Sequence, residues 1–371
     1  MTVAAPTPAG SAPSRPIERR HGPASAQTRA LERTLRRTWL PLARGWRMTP
    51  RGIRLLQRVT DPTGRVPVLS GTRVEPARVA GVPGEWVRAP RAIAQTPPGA
   101  AAAGQPPPAQ PLLLYLHGGG YVFGSPRTHR NLVSRISHVS GLPALSLDYR
   151  LPPAATLPAP VDDALAVYRA LLDAGHPGER IVVAGDSAGG NLALELALHA
   201  AEAGLPQPAA LVLLSPWADL TMSLPSHAAN AASDPFIPAQ ALRRAARVAA
   251  GGADPAGWRI SPLSAPDALW RALPPTLVQA GSTEVLRDDA VAVARRVAAA
   301  GRRAELDLFD RQPHVVPLWA GTPEARAALR EIGRFTTSVL APESAPPAPT
   351  GADAEAAAEA PAAGPAAADR G

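Results

Sequence analysis

The sequence contains no cysteine and no lysine among its 371 residues. Without cysteine, a disulfide scaffold, a zinc–thiolate site, an iron–sulfur cluster and a cysteine nucleophile are all excluded. Without lysine, all 38 basic residues are arginine, and no G-x-x-x-x-G-K-[ST] phosphate loop can be present. Chemistry that depends on thiols or on a phosphate-loop lysine is therefore not expected.

Long hydrophobic runs are also absent. The longest run, near residues 209–217, is far shorter than the roughly 18 residues that a transmembrane helix needs. The first 16 residues contain no apolar segment of the kind found in a signal peptide. The sequence therefore predicts no integral membrane segment, and since nothing in it requires an oxidising compartment we expect a cytoplasmic protein.

The formal net charge of +8 is concentrated at the N-terminus. Residues 1–60 hold 12 arginines and two acidic residues, a local charge of +10, so the remaining 311 residues carry −2. The main body is therefore near neutral, and an arginine-rich face is usually just solvated. We therefore expect no nucleic-acid partner.

Composition divides the chain into a central body and low-complexity segments. Residues 1–27 and 341–371 are rich in Ala and Pro and are predicted to be disordered tails, while 92–110 is predicted to be an inserted loop. Leu31, Leu35, Trp39 and Leu42 recur at helical spacing between arginines. This stretch is interpreted as a helix packed on the body, with a membrane-surface helix as the alternative.

The central body alternates between short apolar runs and longer helical patterns. The predicted strands are Leu112–Leu116, Ala144–Leu147, 181–184, 211–214, 276–280 and 305–309, and the predicted helices are 127–140, 161–173, 189–203, 287–300 and 323–339. This alternation predicts an α/β fold with a mostly parallel sheet covered by helices on both faces. Residues 218–272 break the rhythm and are predicted to be an insertion over the sheet edge.

The segment Gly185, Asp186, Ser187, Ala188 and Gly189 lies between a predicted strand and a predicted helix. It matches the G-x-S-x-G pattern, in which a sharp turn between strand and helix exposes the serine hydroxyl. Small flanking residues are needed because larger side chains would collide at the turn. Ser187 is therefore a candidate nucleophile.

A second glycine-rich loop follows the strand Leu112–Leu116. It has the sequence His117, Gly118, Gly119 and Gly120, and adjacent glycines leave backbone N–H groups free to stabilise a developing oxyanion. His117 is interpreted as a residue that braces this loop rather than as a base.

A serine nucleophile needs a histidine base, and the base needs an orienting carboxylate. Three histidines follow Ser187, and only His314 lies in a loop after the last predicted strand; His199 lies in a helix and His227 in the insertion. His314 is therefore the preferred base.

The preferred acid is Glu284, which lies just after the strand 276–280. Asp288 and Asp289 remain alternatives, although early helix residues of this type also stabilise a helix N-terminus. Asp310 is a further alternative.

These motifs resemble the hormone-sensitive lipase family of bacterial esterases, which are marked by HGGG and GDSAGG. The resemblance covers roughly residues 45–340. Its supporting segments are 125–127 (SPR), 148–151 (DYRL), 215–220 (SPWADL), 234–236 (DPF), 251–254 (GGAD), 261–263 (SPL) and 284–286 (EVL). The family usually has glutamate where this chain has Ala154, which puts a local ion pair with Arg150 in doubt but leaves the triad intact.

The resemblance implies an α/β-hydrolase fold over 28–340, with a helical cap built from about 28–60 and 218–272. It implies Ser187 as nucleophile, Glu284 as acid and His314 as base. It also places the oxyanion hole at the N–H groups of Gly119, Gly120 and Ala188. The implied reaction is hydrolysis of short- to medium-chain carboxylic esters through an acyl-enzyme, with no cofactor and no metal.

Apolar side chains that could line a substrate pocket follow these motifs. The candidates are Tyr121, Trp217, Phe236, Trp258, Leu318 and Trp319. The expected partner is a small-molecule ester, or a lactone cleaved by the same steps. Two alternatives stay open: a non-catalytic ligand-binding homologue, and a homo-oligomer rather than a monomer.

Overall fold

The computed structural model describes residues 15–96, 106–108 and 110–341. The first 14 residues, the centre of the predicted inserted loop and nearly all of the predicted C-terminal tail lie outside this part of the chain. Up to Leu340 the described residues form one compact unit. None of its helices is both long enough and apolar enough to cross a bilayer.

A single nine-stranded sheet forms the centre of this unit, in the order β1-β9-β8-β7-β6-β4-β5-β3-β2. The strands are β1 (Ile17–His21), β2 (Arg73–Val79), β3 (Val82–Arg88), β4 (Leu112–Leu116), β5 (Ala144–Leu147), β6 (Ile181–Asp186), β7 (Ala210–Leu214), β8 (Thr276–Gly281) and β9 (Ala304–Phe309). In this spatial order, the seven strands from β1 at one edge through to β5 pair in parallel. The β5–β3 and β3–β2 pairs at the other edge are antiparallel.

Twelve α-helices surround the sheet in the described residues. They are α1 (Ala26–Arg37), α2 (Trp39–Gly45), α3 (Pro50–Thr60), α4 (Pro90–Ala94), α5 (Pro126–Ser140), α6 (Ala159–Asp173), α7 (Ala188–Glu202), α8 (Pro225–Ala229), α9 (Ala239–Ala250), α10 (Asp267–Ala272), α11 (Arg287–Ala299) and α12 (Pro323–Leu340). The predicted strands and helices of the central body are all present, with bounds within two residues of those expected.

Alternate side chains of the central strands pack on opposite faces of the sheet. In β4, Leu112, Leu114 and Leu116 join the apolar cluster beneath α6, α7 and α11, whereas Leu113 and Tyr115 join the cluster beneath α5 and α12. Because both faces are covered, these strands are apolar throughout, which is why they could be predicted from the sequence. The loops at their carboxyl ends meet at one edge, where polar groups collect.

The prediction of a disordered segment through residue 27 is wrong for β1 and for the start of α1. β1 pairs in parallel with β9, and Arg19 extends from it to Glu305 (2.6 Å) and Asp307 (2.8 Å), two almost fully buried acids. Arg303 and Arg334 also bond Glu305, and the three arginines together outweigh burial and lower its pKa to about 2. Because β1 is short and is held by ion pairs, its sequence has no hydrophobic periodicity from which a strand could be predicted.

Three further differences from the sequence-based expectations concern local structure. The hairpin β2–β3 was not predicted; its turn places Ala80 and Gly81 at positive φ angles of 49° and 80°. The amphipathic stretch is two helices that break at Thr38, and Leu42 is 63% exposed rather than packed on the body. Helix α4 occupies the beginning of the segment predicted to be an inserted loop.

Candidate active site

Ser187 lies at the sharp turn between β6 and α7. Its φ and ψ angles are 56° and −120°, a region that non-glycine residues rarely occupy. A Cβ added at Gly185 would lie 2.1 Å from the carbonyl oxygen of Gly189, and one at Gly189 would lie 2.0 Å from that of Leu116. The turn therefore requires glycine on both sides, as the motif predicts.

Neighbouring loops hold this turn in place. The N–H of Ser187 donates to the carbonyl of Leu214 (2.8 Å), and its carbonyl accepts from the N–H of Trp217 (3.1 Å). Both bonds tie the turn to β7 and to the loop that follows it. The backbone of Ser187 is therefore fixed while its hydroxyl makes no hydrogen bond to the other described residues.

The loop after β4 lies beside this turn. The N–H of Gly118 donates to Asp186 (3.0 Å), the residue before the candidate nucleophile. Gly119 and Gly120 have φ angles of 122° and 60°, and their N–H groups donate to no acceptor among the described residues. Ala188 opens α7, so its N–H also lies outside the helix's own hydrogen-bond ladder.

His117 and Asp186 hold this loop in place through buried contacts with Gly118. His117 bonds the carbonyl of Gly118 through Nδ1 (2.8 Å) and stacks on Tyr149 at 4.3 Å. Burial lowers the pKa of His117 to about 3, so it is neutral at physiological pH, as a bracing residue can be. Tyr149 closes the contact by donating its hydroxyl to the carbonyl of His117 (2.5 Å).

Asp186 is a buried carboxylate with three polar neighbours. It accepts hydrogen bonds from Tyr115 (2.6 Å) and Gly118, and His129 Nε2 lies 3.5 Å away. Burial raises the pKa of Asp186, but His129 and Tyr115 more than offset this and hold it below its ordinary value. Tyr115 and His129 were not identified from the sequence, since neither belongs to a motif.

His314 and Glu284 form a buried hydrogen-bonded pair, with His314 Nδ1 2.7 Å from Glu284 Oε2. The other oxygen of Glu284 accepts from Ser215 Oγ (2.8 Å) and from the N–H of Gly281. Burial lowers the pKa of His314, but the Glu284 carboxylate more than offsets this and holds it above the ordinary value. His314 Nε2 is buried without a hydrogen-bond partner among the described residues.

The alternative acids have other partners. Asp289 contacts His227 Nε2 (2.6 Å) and accepts from the N–H groups of residues 218 and 219. Asp288 accepts from the N–H of Ser226 (2.9 Å), and Asp310 accepts from Ser282 (3.3 Å). Among these four acids, only Glu284 has a hydrogen bond to His314 in the structure.

The predicted pocket residues occupy several environments. Phe236 lies against His314, with ring centroids 6.2 Å apart, and Trp319 meets Phe236 edge-on at 5.3 Å. Tyr121 and Trp217 are fully buried near the nucleophile turn. The hydroxyl of Tyr121 donates to Asn191, one helical turn after Ser187.

Two of the predicted pocket residues lie elsewhere. Trp258 packs on His199 (4.8 Å) and on Arg259, at the far end of α7. With a rise of about 1.5 Å per residue, that contact is about 18 Å along the helix from Ser187, which gives no support to a pocket role for Trp258. Leu318 packs against the cluster of α5 and α12, which gives no support to a pocket role.

Ser215, Asp234 and Trp39 are polar or aromatic groups around the site that the sequence did not identify as functional. Asp234 is fully buried, and its carboxylate accepts from the N–H groups of Phe236 (2.8 Å) and Val285 (2.9 Å). Burial raises the pKa of Asp234 to about 6. This side chain links the Phe236 segment to the residue after Glu284, a role visible only in three dimensions.

The described residues contain no cluster of three or more His, Asp or Glu side chains suited to a metal ion. The described residues instead include a serine on a strained turn, a hydrogen-bonded His–Glu pair and backbone N–H groups without acceptors, and no hydrogen bond joins Ser187 to His314. These are the components of nucleophilic acyl transfer.

Known proteins are similar to this chain in sequence. A family profile described as alpha/beta hydrolase fold matches residues 113–318. An acetyl-hydrolase of Streptomyces hygroscopicus is 41% identical over 228 residues, which are 60% of this chain and 74% of that protein. An esterase of Acinetobacter venetianus is 32% identical over 269 residues, 72% of this chain and 82% of that protein.

Solved structures are similar as well. The crystal structure of an esterase from the bacterial hormone-sensitive lipase family is 36% identical, with a TM-score of 0.74. The match covers 85% of this chain and 99% of that one. The family profile spans more than half of the chain, and the fold agrees over nearly all of the solved relative. The chain therefore belongs to the hormone-sensitive lipase family of bacterial esterases, which are hydrolases with the α/β-hydrolase fold.

Proposed function

We propose that the chain hydrolyses short- to medium-chain carboxylic esters, with Ser187 as nucleophile, His314 as general base and Glu284 as the orienting acid. The observation that carries the proposal is the buried 2.7 Å contact between His314 Nδ1 and Glu284. It orients the imidazole so that Nε2, which has no partner among the described residues, is free to accept the serine proton.

In the first half of the reaction, Ser187 Oγ attacks the ester carbonyl while His314 Nε2 takes its proton. The negative charge moves to the carbonyl oxygen, which accepts hydrogen bonds from the N–H groups of Gly119, Gly120 and Ala188. When the tetrahedral intermediate collapses, the C–O bond to the alcohol breaks and His314 returns the proton to the departing oxygen. The acyl group remains as an ester on Ser187.

In the second half, His314 Nε2 takes a proton from water, and the oxygen of that water attacks the acyl carbon. The same three N–H groups bind the second oxyanion. Collapse breaks the bond to Ser187 Oγ, which recovers its proton from His314. Glu284 stabilises the imidazolium in both halves, a role consistent with the raised pKa of His314.

The cap in this proposal consists of the helices within 28–60 and 218–272. Its two parts contact each other: Trp39 Nε1 donates to the carbonyl of Phe236 (2.9 Å), and Arg244 donates to the carbonyl of Arg44 (2.9 Å). Phe236 extends from this cap to His314 and narrows the space beside the base. A restricted apolar site favours short acyl groups, which agrees with the acetyl-hydrolase name of one relative.

The experiment is a series of p-nitrophenyl esters from acetate to palmitate, with wild type, Ser187→Ala and the control Ser264→Ala. Ser264 is exposed and bonds only nearby carbonyls. We expect turnover that peaks at short or medium acyl chains, loss of at least about 10⁴-fold in Ser187→Ala, and no change in Ser264→Ala.

Ester turnover that survives in Ser187→Ala would overturn the assignment of the nucleophile. If the wild type cleaves none of the esters but opens lactones, the same catalytic residues would serve a lactone hydrolase. If it cleaves neither class, the proposed catalytic function is wrong.

A further inference from the structure

Helix α3 has one face buried in the protein and the opposite face in solvent. Its buried side chains are Ile53, Leu56 and Thr60. Apart from Pro50 at its first position, the exposed side chains of α3 are Arg51, Arg54, Leu55, Arg58 and Val59, called here the α3 face. At about 100° per residue, these five fall within an arc of about 140°, so arginine and aliphatic side chains project in the same direction.

Exposed aliphatic side chains are concentrated in the segment that contains α3, between positions 42 and 66. Of the five large apolar side chains that are exposed among the described residues, four lie between positions 42 and 66. They are Leu42, Leu55, Val59 and Val66, each more than half exposed. Single exposed apolar residues are common on soluble proteins, but Leu55 and Val59 lie one turn apart on α3 and are therefore adjacent on its exposed face.

The arginines of the same segment lack acidic partners. Its six arginines, at positions 44, 47, 51, 54, 58 and 65, form no side-chain hydrogen bond or ion pair with the described residues. The one acid of the segment, Asp61, pairs with Arg127 at 3.2 Å. Asp148 borders a cleft beside Arg54 and Arg58 but forms no ion pair with either. The segment therefore presents uncompensated positive charge.

We propose that the α3 face docks the protein on an anionic lipid bilayer. The guanidinium groups would bind lipid phosphates, and Leu55 and Val59 would enter the boundary between headgroups and acyl chains. This combination of basic and aliphatic residues on one helix face is characteristic of helices that lie on a membrane surface. A nucleic acid would satisfy the arginines but would leave the aliphatic side chains in water, so a bilayer fits the face better.

Docking would place at the lipid surface the edge of the sheet whose loops carry the proposed catalytic residues. Gln57, on the same helix, donates from Nε2 to the carbonyl of Val122, two residues after Gly120. Helix α3 also borders a cleft of about 680 Å³ together with the loops that follow β4 and β5. If the proposed esterase function holds, the protein would hydrolyse esters presented by the bilayer faster than the same esters in solution.

The test is co-sedimentation of the full-length protein with phosphatidylcholine vesicles and with mixed phosphatidylcholine–phosphatidylglycerol vesicles. We expect binding to the anionic vesicles only. The double variant Arg54→Gln/Arg58→Gln should bind about 25-fold more weakly, since each arginine near an anionic surface contributes roughly fivefold. Leu55→Ser/Val59→Ser should bind about tenfold more weakly, although its charge is unchanged.

The matched control is Arg326→Gln/Arg330→Gln, which removes the same charge from exposed positions of α12. It should bind like the wild type. Equal loss in this control would show that only net charge matters and would overturn the proposal, as would absence of wild-type binding. Full binding by the Leu55/Val59 variant, with equal affinity for duplex DNA, would identify a general polyanion surface instead.

Hydrolysis of soluble p-nitrophenyl acetate separates this inference from the proposed function. All three double variants should retain wild-type turnover of the soluble ester, which also shows that they fold. If soluble esters are not cleaved by any of the proteins but vesicle binding follows the expected order, docking stands and the esterase assignment fails. If the soluble ester is cleaved but vesicle binding does not follow the expected order, docking is wrong and the esterase assignment stands.

Discussion

Seven non-glycine residues in the described part of the chain have positive φ angles, and four of them surround the proposed catalytic groups. Tyr121 follows the proposed oxyanion loop, and Ser187 forms the nucleophile turn. Ser215 donates to Glu284, and Val315 follows His314. Such conformations each cost of order 1–3 kcal/mol and persist where the surroundings hold them. The surrounding structure therefore holds the proposed catalytic groups in these conformations before substrate arrives.

Replacing Glu284 with Gln tests the choice of acid. The amide keeps the size of the side chain but removes the charge that raises the pKa of His314. We expect kcat to fall by about 10⁴-fold, since the imidazole loses its favoured tautomer and the stabilisation of its charged form. The rising limb of the pH–rate profile should also move to lower pH, because His314 must be neutral to accept the serine proton.

Asp289→Asn is the comparison for this variant, since Asp289 was the nearest alternative and bonds His227 instead. Its pH–rate profile should keep the wild-type rising limb. If the profile moves with Asp289→Asn and not with Glu284→Gln, the assignment of the acid is wrong.

Motif residues could be predicted because the backbone restricts which residue types fit. Gly185 and Gly189 are required by contacts of about 2 Å, and Gly119 by its φ angle of 122°. The position of Trp258 could not be predicted because aromatic character does not reveal which end of α7 a side chain contacts. Ser215 belongs to the 215–220 segment (SPWADL), but its contact with Glu284 could not be predicted because it depends on β7 lying beside β8.

Helix α1 braces the loop that carries His314. Thr28 is fully buried, and its hydroxyl lies within hydrogen-bond distance of Gln312 Oε1 (3.1 Å) and Glu324 Oε2 (3.0 Å). From the next helix, Trp39 stacks on Phe236 at 5.4 Å, and Phe236 lies against His314. The N-terminal segment thus contacts two neighbours of the proposed base, Gln312 and Phe236.

Thr28→Val removes the hydroxyl while keeping the shape of the side chain. We expect stability to fall by about 1–3 kcal/mol, since a buried acceptor loses a donor. We also expect kcat to fall several-fold with little change in KM, because the imidazole is positioned less well while substrate contacts remain. Steady-state kinetics and thermal denaturation give both values.

The control is Thr34→Val, on the exposed side of the same helix, whose hydroxyl donates only to the carbonyl of Ala30. It should change neither kcat nor stability appreciably. An unchanged kcat in Thr28→Val, despite lower stability, would restrict Thr28 to a structural role.

Elements of the sheet differed in how well they could be predicted. Strands β4 to β9 are buried on both faces, so their apolar runs marked them clearly. β1 has mostly polar side chains and depends on Arg19 reaching Glu305, a residue 286 positions away. No local pattern contains that information, and the same holds for the contact between Thr28 and Gln312.

Glu195 is a buried acid whose titration affects the stability of the whole molecule. It lies on α7 with no exposure, both carboxylate oxygens lack a hydrogen-bond partner among the described residues, and His199 Nε2 is 3.5 Å away. Burial raises the pKa of Glu195 to about 7, although His199 and Arg259 partly counteract this. The folded protein therefore holds a proton that the unfolded chain releases at lower pH.

This difference should lower stability as pH rises. The stabilisation is fully present below the unfolded pKa of about 4.5 and is lost as pH rises through the folded value of about 7. Its size is about 3 kcal/mol. Because Gln stays neutral, we expect Glu195→Gln to gain stability relative to wild type between pH 5 and pH 8.5, as measured by urea denaturation.

The exposed Glu179 provides the control, since its change to Gln removes a carboxylate that remains in water. Its stability relative to wild type should be the same at both pH values. If the stability of Glu195→Gln relative to wild type is the same at pH 5 and at pH 8.5, Glu195 does not have a raised pKa in the folded protein.

The central claim is that Ser187 attacks the substrate and carries the acyl group. The most direct measurement is mass spectrometry of the protein after reaction with a fluorophosphonate, which bonds an activated serine through phosphorus and releases fluoride. We expect one adduct per chain, mapped to the peptide that contains Ser187, with loss of esterase activity in proportion to labelling. An adduct on a different residue, or full activity in protein labelled at Ser187, would contradict it.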